Sequence, residues 1–528
     1  MANKIQKIFP TKIIKPLFMS LIITIILLVL FVTYAIKPLP ELKQVKSRAL
    51  PINEENKLVQ MLQKEYPKDP NLTGVLELSD PLDAFVARSV LLNLAQESID
   101  LQYYIWRPDT SGTMLLYDLY NAAERGVRVR LLLDDNNTRG LDDLIAVLDY
   151  HPNIEVRLFN PFTNRKFRFL GYLTDLKRLN HRMHNKLLVV DGVTAITGGR
   201  NIGDEYFAAG NGTVFVDLDV MAIGNIVPQL SHDFDRYWNS ELSYPAKQIV
   251  TKEYGSDHIA AFEKLRKVKY RADVETYQTA LTRSKLLEKL YHHNIDWQWS
   301  EAILISDPPS KALGVWSQND FYKPLYNAIG DAQKELFLVS PYFVPTKVGT
   351  AFLKDLREQG IQISVLTNSY EATDVAFVHS GYINYRKALI EAGINIYELK
   401  KSHDKTPHLK DKGLVGSSGS SLHAKTFIVD NDRLFVGSLN LDPRSAKINT
   451  EMGLAILNPH LAKDMTDRIK HHLLERSYRV ILEDDRLKWQ LFDNQERLLK
   501  TYDVEPNTSI LERALIRFLT WLPIEWLL

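Results

Sequence analysis

No cysteine occurs in this 528-residue sequence, which removes disulfides, thiolate metal sites and thiol nucleophiles from consideration. The absence fits an oxidising compartment without establishing one. Net charge is almost absent too. The 65 Lys and Arg against 64 Asp and Glu leave +1, so no overall field draws nucleic acid, and any pull on anions must come from local patches. Long uncharged apolar runs are scarce, and one stands out, Leu17 to Ile36. About 20 such residues suffice to cross a bilayer as a helix. A cleaved secretory signal has a shorter apolar stretch, about 7–15 residues, and Thr33-Tyr34-Ala35 is a poor cleavage site. The segment therefore reads as an uncleaved anchor. Lys4, Lys7, Lys12 and Lys15 precede it, and Lys37, Lys43, Lys46 and Arg48 follow. The α-amino group and Glu41 tip the balance slightly towards an inside N-terminus, which puts the body outside the cytoplasm.

What is present begins with length. A chain this long exceeds one ordinary core and predicts two domains plus appendages. The last residues, Ala514 to Leu528, are apolar but interrupted by Arg517, Pro523 and Glu525. With Trp521 and Trp526 they suit either a membrane interface or a terminal helix docked on the protein's own core.

Two stretches repeat each other. In the first, a helix over Ala84–Gln96 leads to a strand over Ser98–Trp106. A helical run to Gly126 follows, then a strand over Val127–Leu133 ending at Asp134-Asp135, and a third at Ile154–Phe159. In the second, a helix over Leu325–Ala332 leads to strands at Glu335–Tyr342, Ile361–Thr367 and Ile394–Leu399. Strand, helix, strand with short punctuation predicts parallel βαβ units. A polar, partly helical connection from about Tyr244 to Ser306 separates the repeats.

The chemistry follows each third strand. His184-Asn-Lys186 runs through four apolar residues to Asp191, then Gly198-Gly199-Arg200-Asn201. His423-Ala-Lys425 runs through four apolar residues to Asp430, then Gly437-Ser438-Leu439-Asn440. Every gap from histidine to asparagine is the same. Residues two apart on a strand share a face, so each motif offers an imidazole and an ammonium to one small anion. The Gly-Gly or Gly-Ser step lets backbone approach closely, and Asn201 and Asn440 add amide donors for phosphate oxygen. A single His-x-Lys is more often a solvated strand face, and an Asp after an apolar run more often a turn. Two copies with matching gaps leave little room for chance.

The duplicated HxKxxxxD motif and the G-G/S-x-N that follows it resemble those of the phospholipase D superfamily. A closer resemblance is to bacterial cardiolipin synthases, the C type among them. It is carried by Val127–Asn137, Arg182–Lys186, Gly198–Asp204, Ser340–Pro345, Ser421–Lys425, Asp442–Ser445 and the terminal Leu522–Leu528. The resemblance implies an α/β fold of two tandem mixed-sheet domains facing each other around a pseudo-twofold axis, with one active site at the seam. It implies phosphatidyl transfer through a phosphohistidine, with His184 as nucleophile and His423 as acid, although the residues alone do not separate those roles. Lys186 and Lys425 would offset charge on the phosphate, with no cofactor and no metal. Asp191 and Asp430 are expected to organise the site rather than touch substrate. Asp204, Asp442 and Arg444 could do either.

A nucleophilic imidazole needs its second nitrogen held. Aligning Asp217-Leu-Asp-Val with Glu451-Met-Gly-Leu, at the cost of an insertion in the first copy, places Asp217 behind His184 and Glu451 behind His423. Arg165, Lys166, Arg168, Lys177, Arg178 and Arg182, with Asp175 as the one acid among them, would suit an anionic headgroup. Lys400–Ser421, with Gly416–Ser421 inside it, reads as a mobile loop that could gate the site.

The expected organisation is an anchor over 1–40, domains over 75–245 and 306–478 joined by 246–305, and an extension over 479–528. The expected partners are the membrane and phospholipids: phosphatidylglycerol, with phosphatidylethanolamine as a candidate donor. Nucleic acid is not expected, and the sequence says nothing of protein partners. The resemblance implies the bacterial inner membrane. A phospholipase D hydrolase is the alternative reading, with a nuclease or a non-catalytic membrane scaffold behind it.

Overall fold

The apolar runs of both repeats form strands, and they assemble twice in one order. The protein's structure, a computed structural model, describes residues 11–35, 38–208, 214–250, 255–270, 274–315, 332–401 and 420–521, together with 317, 325, 326 and 330. In the first half Thr73–Leu78 lies antiparallel to Asp219–Gly224, which is followed across the sheet by Thr194–Gly198, Leu187–Val190 and Ser98–Ile105. Parallel strands Arg128–Asn137 and Ile154–Phe159 come next, and Ser243–Pro245 closes the edge. The second half repeats this sequence with Gln298–Ser306, Met452–Leu457, Arg433–Gly437, Thr426–Val429 and Glu335–Val339. Gln362–Asn368 and Asn395–Leu399 follow in parallel, then Ser477–Glu483. Two more antiparallel strands, Arg486–Phe492 and Leu498–Tyr502, lengthen this second edge.

The halves join through the same element of each. Thr73–Leu78 pairs with Gln298–Ser306, Thr73 opposite Ser300 and Val75 opposite Gln298, which makes one sheet of 18 strands. Equivalent helices, Ile226–Trp238 and Pro459–Arg476, pack between the halves. Their Leu230, Phe234, Met465 and Ile469 share one buried core with Val189 and Ala222 of the first half and Ile428 and Leu454 of the second. Each half keeps a further core on its outer face. Burying this shared apolar surface at roughly 25 cal/mol per Å² fixes one half against the other, and so fixes any site that lies between them.

Several boundaries differ from the sequence reading. The strand Arg128–Asn137 runs through Asp134 and Asp135 instead of stopping there, because both carboxylates are buried and bonded. Asp134 accepts from the Met183 N–H at 2.8 Å and Asp135 from the Phe162 N–H at 2.7 Å. Among the described residues, the connection between the repeats holds four α-helices, Ala246–Ile249, Ser256–Lys267, Glu275–Arg283 and Leu286–Tyr291. It also holds most of Gln298–Ser306, a strand of the second half that its mixed polar pattern hides. The expected helix Leu325–Ala332 and the loop Lys400–Ser421 lie largely outside the described residues.

At the N-terminus a helix covers Thr11–Ala35. Its described side chains from 18 to 31 are exposed and rise only about 20 Å against about 30 Å of bilayer hydrocarbon. Among the described residues, no helix is long and apolar enough to cross a membrane. At the other end Ser509 and Glu512 form a capping box for the helix Ile510–Thr520. That helix buries Ile516 and Leu519 and exposes Leu511, Leu515, Phe518 and, just beyond it, Trp521. Its described part therefore docks on the protein while keeping an outward apolar face; residues 522–528, Trp526 among them, lie outside the described residues.

Candidate functional site

The His-x-Lys segments do not lie in the ladder itself. They are the extended residues that feed the strands Leu187–Val190 and Thr426–Val429, and each is clamped by backbone of the opposite half. The His184 N–H donates to the Thr450 carbonyl at 2.9 Å, and the Thr450 N–H returns a bond to Arg182 at 2.9 Å. The His423 and Ala424 N–H groups donate to the Val216 carbonyl at 2.8 and 2.9 Å. The residue after each acceptor is a carboxylate. Glu451 Oε2 lies 2.8 Å from His184 Nδ1, and Asp217 Oδ2 lies 2.5 Å from His423 Nδ1.

The carboxylates therefore cross, which corrects the pairing expected from the alignment. Glu451 serves His184 and Asp217 serves His423. The reason is topological: Asp217 and Glu451 stand at the inner ends of Asp219–Gly224 and Met452–Leu457, where the chain meets the opposite half, and each reaches over the seam. Both histidines and all four of Lys186, Lys425, Asp217 and Glu451 are buried. Lys425 Nζ also comes within 2.9 Å of His423 Nδ1. That nitrogen already faces a carboxylate, so it carries the proton and donates to Asp217, while Lys425 donates to the His423 carbonyl. Lys186 likewise donates to the His184 carbonyl. Nε2 of each ring is then the nitrogen left for chemistry. Aromatic rings pack on both imidazoles, Tyr104 on His184 at 4.8 Å and Tyr206 on His423 at 5.3 Å between centroids.

Electrostatics follow from burial among like charges. Burial, opposed by Glu451 and assisted by Lys186, lowers His184 to about 4. Burial and Lys425 lower His423 against the pull of Asp217. Burial lowers Lys186 to about 7 and Lys425 to about 8, each partly restored by the two carboxylates. Burial alone would raise Asp217 and Glu451. The histidines and lysines overrule it and hold both below the usual carboxylate range. The site thus sets two lysines and two ionised carboxylates around two neutral imidazoles, with the charges of these six side chains in balance.

The other expected residues sort by what they touch. Asp191 accepts the N–H groups of Gln96, Glu97 and Ser98 at 2.8–2.9 Å. Asp430 accepts those of Gln333, Lys334 and Glu335 at 2.7–2.9 Å. Each stands seven residues past its histidine, roughly 20 Å along an extended chain, and ties down the start of a neighbouring strand. Asn201 is engaged by the Ile105 N–H at 3.1 Å and by Tyr206 at 3.0 Å. Asn440, by contrast, has a buried amide oxygen with no bond. Asp204 accepts the Ser111 N–H and the Tyr277 hydroxyl, each at 2.8 Å. Asp442 caps Pro443–Lys447, and Arg444 reaches Asn180 of the first half at 3.0 Å. The arginines before the first motif are internal ties rather than a headgroup cradle: Arg165 bonds Asp142 at 3.0 Å, Arg178 bonds Asp175 at 2.5 Å, Arg168 bonds the Asp135 carbonyl at 2.7 Å, and Arg182 bonds Asp134 at 3.3 Å.

Sequence reasoning missed the support beneath Glu451. Asp307 accepts the Glu451 N–H at 2.9 Å and donates its own N–H back to the Glu451 carbonyl at 2.9 Å. Lys311 Nζ pairs with Asp307 at 2.8 Å, fully buried, and also donates to the Ser445 carbonyl. Ser438 donates to Glu451 as well. The first half uses Arg200 instead, which donates to the Asp217 carbonyl at 2.6 Å. A signal was available: Ser79-Asp80-Pro81 and Ser306-Asp307-Pro308 follow equivalent strands. Asp307→Ala removes the buried carboxylate that faces the Lys311 ammonium and accepts the Glu451 N–H, so unfolding in urea should show a loss of roughly 3–5 kcal/mol. A loss within experimental scatter would mean the pair is not buried as described.

The family described as cardiolipin synthase, PLD-like domain, matches residues 89–238 and 325–473, one match in each half. Cardiolipin synthase C of Escherichia coli K12 is 43% identical over 466 residues, 87% of this chain and 97% of that protein. The major cardiolipin synthase of Bacillus subtilis 168 is 26% identical over 400 residues, 75% of this chain and 68% of that one. The crystal structure of phosphatidylserine synthase from Haemophilus influenzae Rd KW20 aligns with a TM-score of 0.49 and 15% identity, covering 79% of this chain and 91% of that one. With both motifs inside the matched segments and the match extending over more than half its length, the chain belongs to the cardiolipin synthase family of phospholipase D-like proteins.

Proposed function

We propose that the chain is a phosphatidyltransferase that makes cardiolipin from phosphatidylglycerol and a second phospholipid, with phosphatidylethanolamine as a candidate donor. The observation that carries it is the crossed pair of histidines, each held by a carboxylate of the other half, in a family of cardiolipin synthases. In the first step Nε2 of neutral His184 attacks the donor phosphorus, and the bond to the headgroup oxygen breaks. His423 gives that oxygen its proton, so the headgroup leaves as a neutral alcohol. His423, now neutral, takes a proton from a hydroxyl of phosphatidylglycerol. That oxygen attacks phosphorus, the phosphorus–nitrogen bond breaks, and His184 is restored. The arriving phosphate anion offsets Lys186 and Lys425, which raises the proton affinity of His423 to where it can act as an acid. Assignment of nucleophile to His184 and acid to His423 rests on resemblance.

Glu451 and Asp217 fix the tautomer and offset the imidazolium, while the two lysines stabilise charge on the phosphate oxygens. We also propose that the run Leu17–Ile36 anchors the chain, since its 20 residues carry no charge and about 20 apolar residues suffice to cross a bilayer. The bacterial inner membrane, with the body outside the cytoplasm, follows from that anchor and from the family.

Transferase and hydrolase share the first step. Isotope-labelled phosphatidylglycerol and phosphatidylethanolamine in one bilayer, followed by lipid mass spectrometry, separate them. The expected result is cardiolipin carrying label from both lipids, with phosphatidic acid suppressed as phosphatidylglycerol rises. Phosphatidic acid dominating at high phosphatidylglycerol decides for the hydrolase. The pH profile is a second check. Both lysines are charged below their lowered values and lose charge as pH rises through about 7 and about 8. His184 stays neutral until pH falls towards about 4. Hence kcat/KM should fall as pH rises through that alkaline window. A profile flat from about pH 6 to pH 9 contradicts the lysine role.

A further inference from the structure

A small helical hairpin stands directly upstream of His184 and presents its apolar side chains outward. Phe169–Thr174 and Leu176–Leu179 are its two short helices. They are packed hard: a Cβ at Gly171 would come within 2.7 Å of Leu179 Cδ1, and Leu170 and Leu179 are buried. Tyr172 is tied to Asn136 at 2.6 Å, and Arg444 of the second half grips Asn180 at the hairpin's end. Phe169 and Leu173 are nevertheless 62% and 72% exposed, and Phe167 and Leu176 more than two-fifths. Four large apolar side chains over ten residues on a rigid, outward-facing element are costly in water. Exposed Lys166 and Lys177 flank them.

The location says what covers this face. Pro38 and Leu39 line a cavity of about 250 Å³ together with Phe162, Leu170, Gly171 and Leu179. The helix Thr11–Ala35 ends three residues before Pro38, so no more than about 11 Å of chain separates that apolar helix from the hairpin's underside. The same hairpin runs through Arg182 and Met183 into His184.

We infer that the hairpin of residues 167–179 inserts its apolar face into the lipid bilayer beside the anchor, with Lys166 and Lys177 among anionic headgroups, and so sets the catalytic seam at headgroup depth. The inference rests on the proposed anchor and lipid substrate. It adds a second contact, independent of the first, that would fix the site's height above the membrane.

Because the chain has no cysteine, a single one reports its own position. Leu173→Cys and Phe169→Cys, with Tyr150→Cys as an exposed control at the far end of the helix Asp142–Tyr150, are labelled with an environment-sensitive fluorophore. The full chain is then placed in vesicles of equal parts phosphatidylethanolamine and phosphatidylglycerol that carry nitroxide lipids. The expected result is emission shifted to the blue and quenching about threefold or more above the control for both hairpin labels. Labels at 169 and 173 that match the control overturn the hairpin contact while leaving the anchor standing. A chain that does not float with the vesicles at all overturns both. The readout needs no turnover, so a hydrolase would give the same label depth as a synthase.

Discussion

His184→Ala and His423→Ala should each lower turnover by roughly 10⁴-fold or more, and the double variant should be little worse than either, because groups that act as one unit are grossly non-additive. The geometry gives the reason. Each ring depends on a carboxylate of the other half, so neither half holds a complete site. The effect is read as initial rates of headgroup release on phosphatidylglycerol vesicles. Single variants that each keep half the activity would mean two independent centres.

The crossed carboxylates make a second large effect specific. Asp217→Asn and Glu451→Gln should each cost about 10² to 10⁴ in turnover, as expected when an imidazole loses the carboxylate that orients it. They should differ in rescue. A diester with a p-nitrophenol leaving group needs no proton from an acid. If His423 is the acid, both His423→Ala and Asp217→Asn should recover about 10²-fold on that diester relative to the natural lipid. His184→Ala and Glu451→Gln should not recover, because the nucleophile is what they damage. Recovery that groups Glu451 with His423 instead would restore the pairing that the alignment suggested and contradict the structure.

That alignment failed in an instructive way. The two motifs were legible because their chemistry is local: alternation brings His184 to Lys186 and His423 to Lys425, and the matching gaps exclude chance. The carboxylates were legible as candidates because each follows its motif at a comparable distance. Which carboxylate serves which ring is a contact between residues more than 200 positions apart. It depends on how the shared core of Leu230, Phe234, Met465 and Ile469 docks the halves. Nothing in a single repeat records that. The basic run before His184 misled for a similar reason, since its partners Asp134, Asp135 and Asp142 lie in an earlier part of the chain and pair with the arginines only after folding. The strand Gln298–Ser306 was hidden because Gln298, Ser300 and Glu301 break the apolar pattern, although the Ser-Asp-Pro that ends it repeats the first half. Asp307, at that strand's end, then escaped notice as the support for Glu451.

The central claim is one composite site with one nucleophile, and a trapped intermediate tests it most directly. The chain is mixed with phosphatidylglycerol whose phosphate is labelled, quenched in alkali to preserve phosphohistidine, and digested for peptide mass spectrometry. The account predicts a phosphatidyl group on His184 alone, approaching one per chain, and none in Glu451→Gln at the same time of quench. Label shared between His184 and His423, or exceeding one per chain, would contradict it.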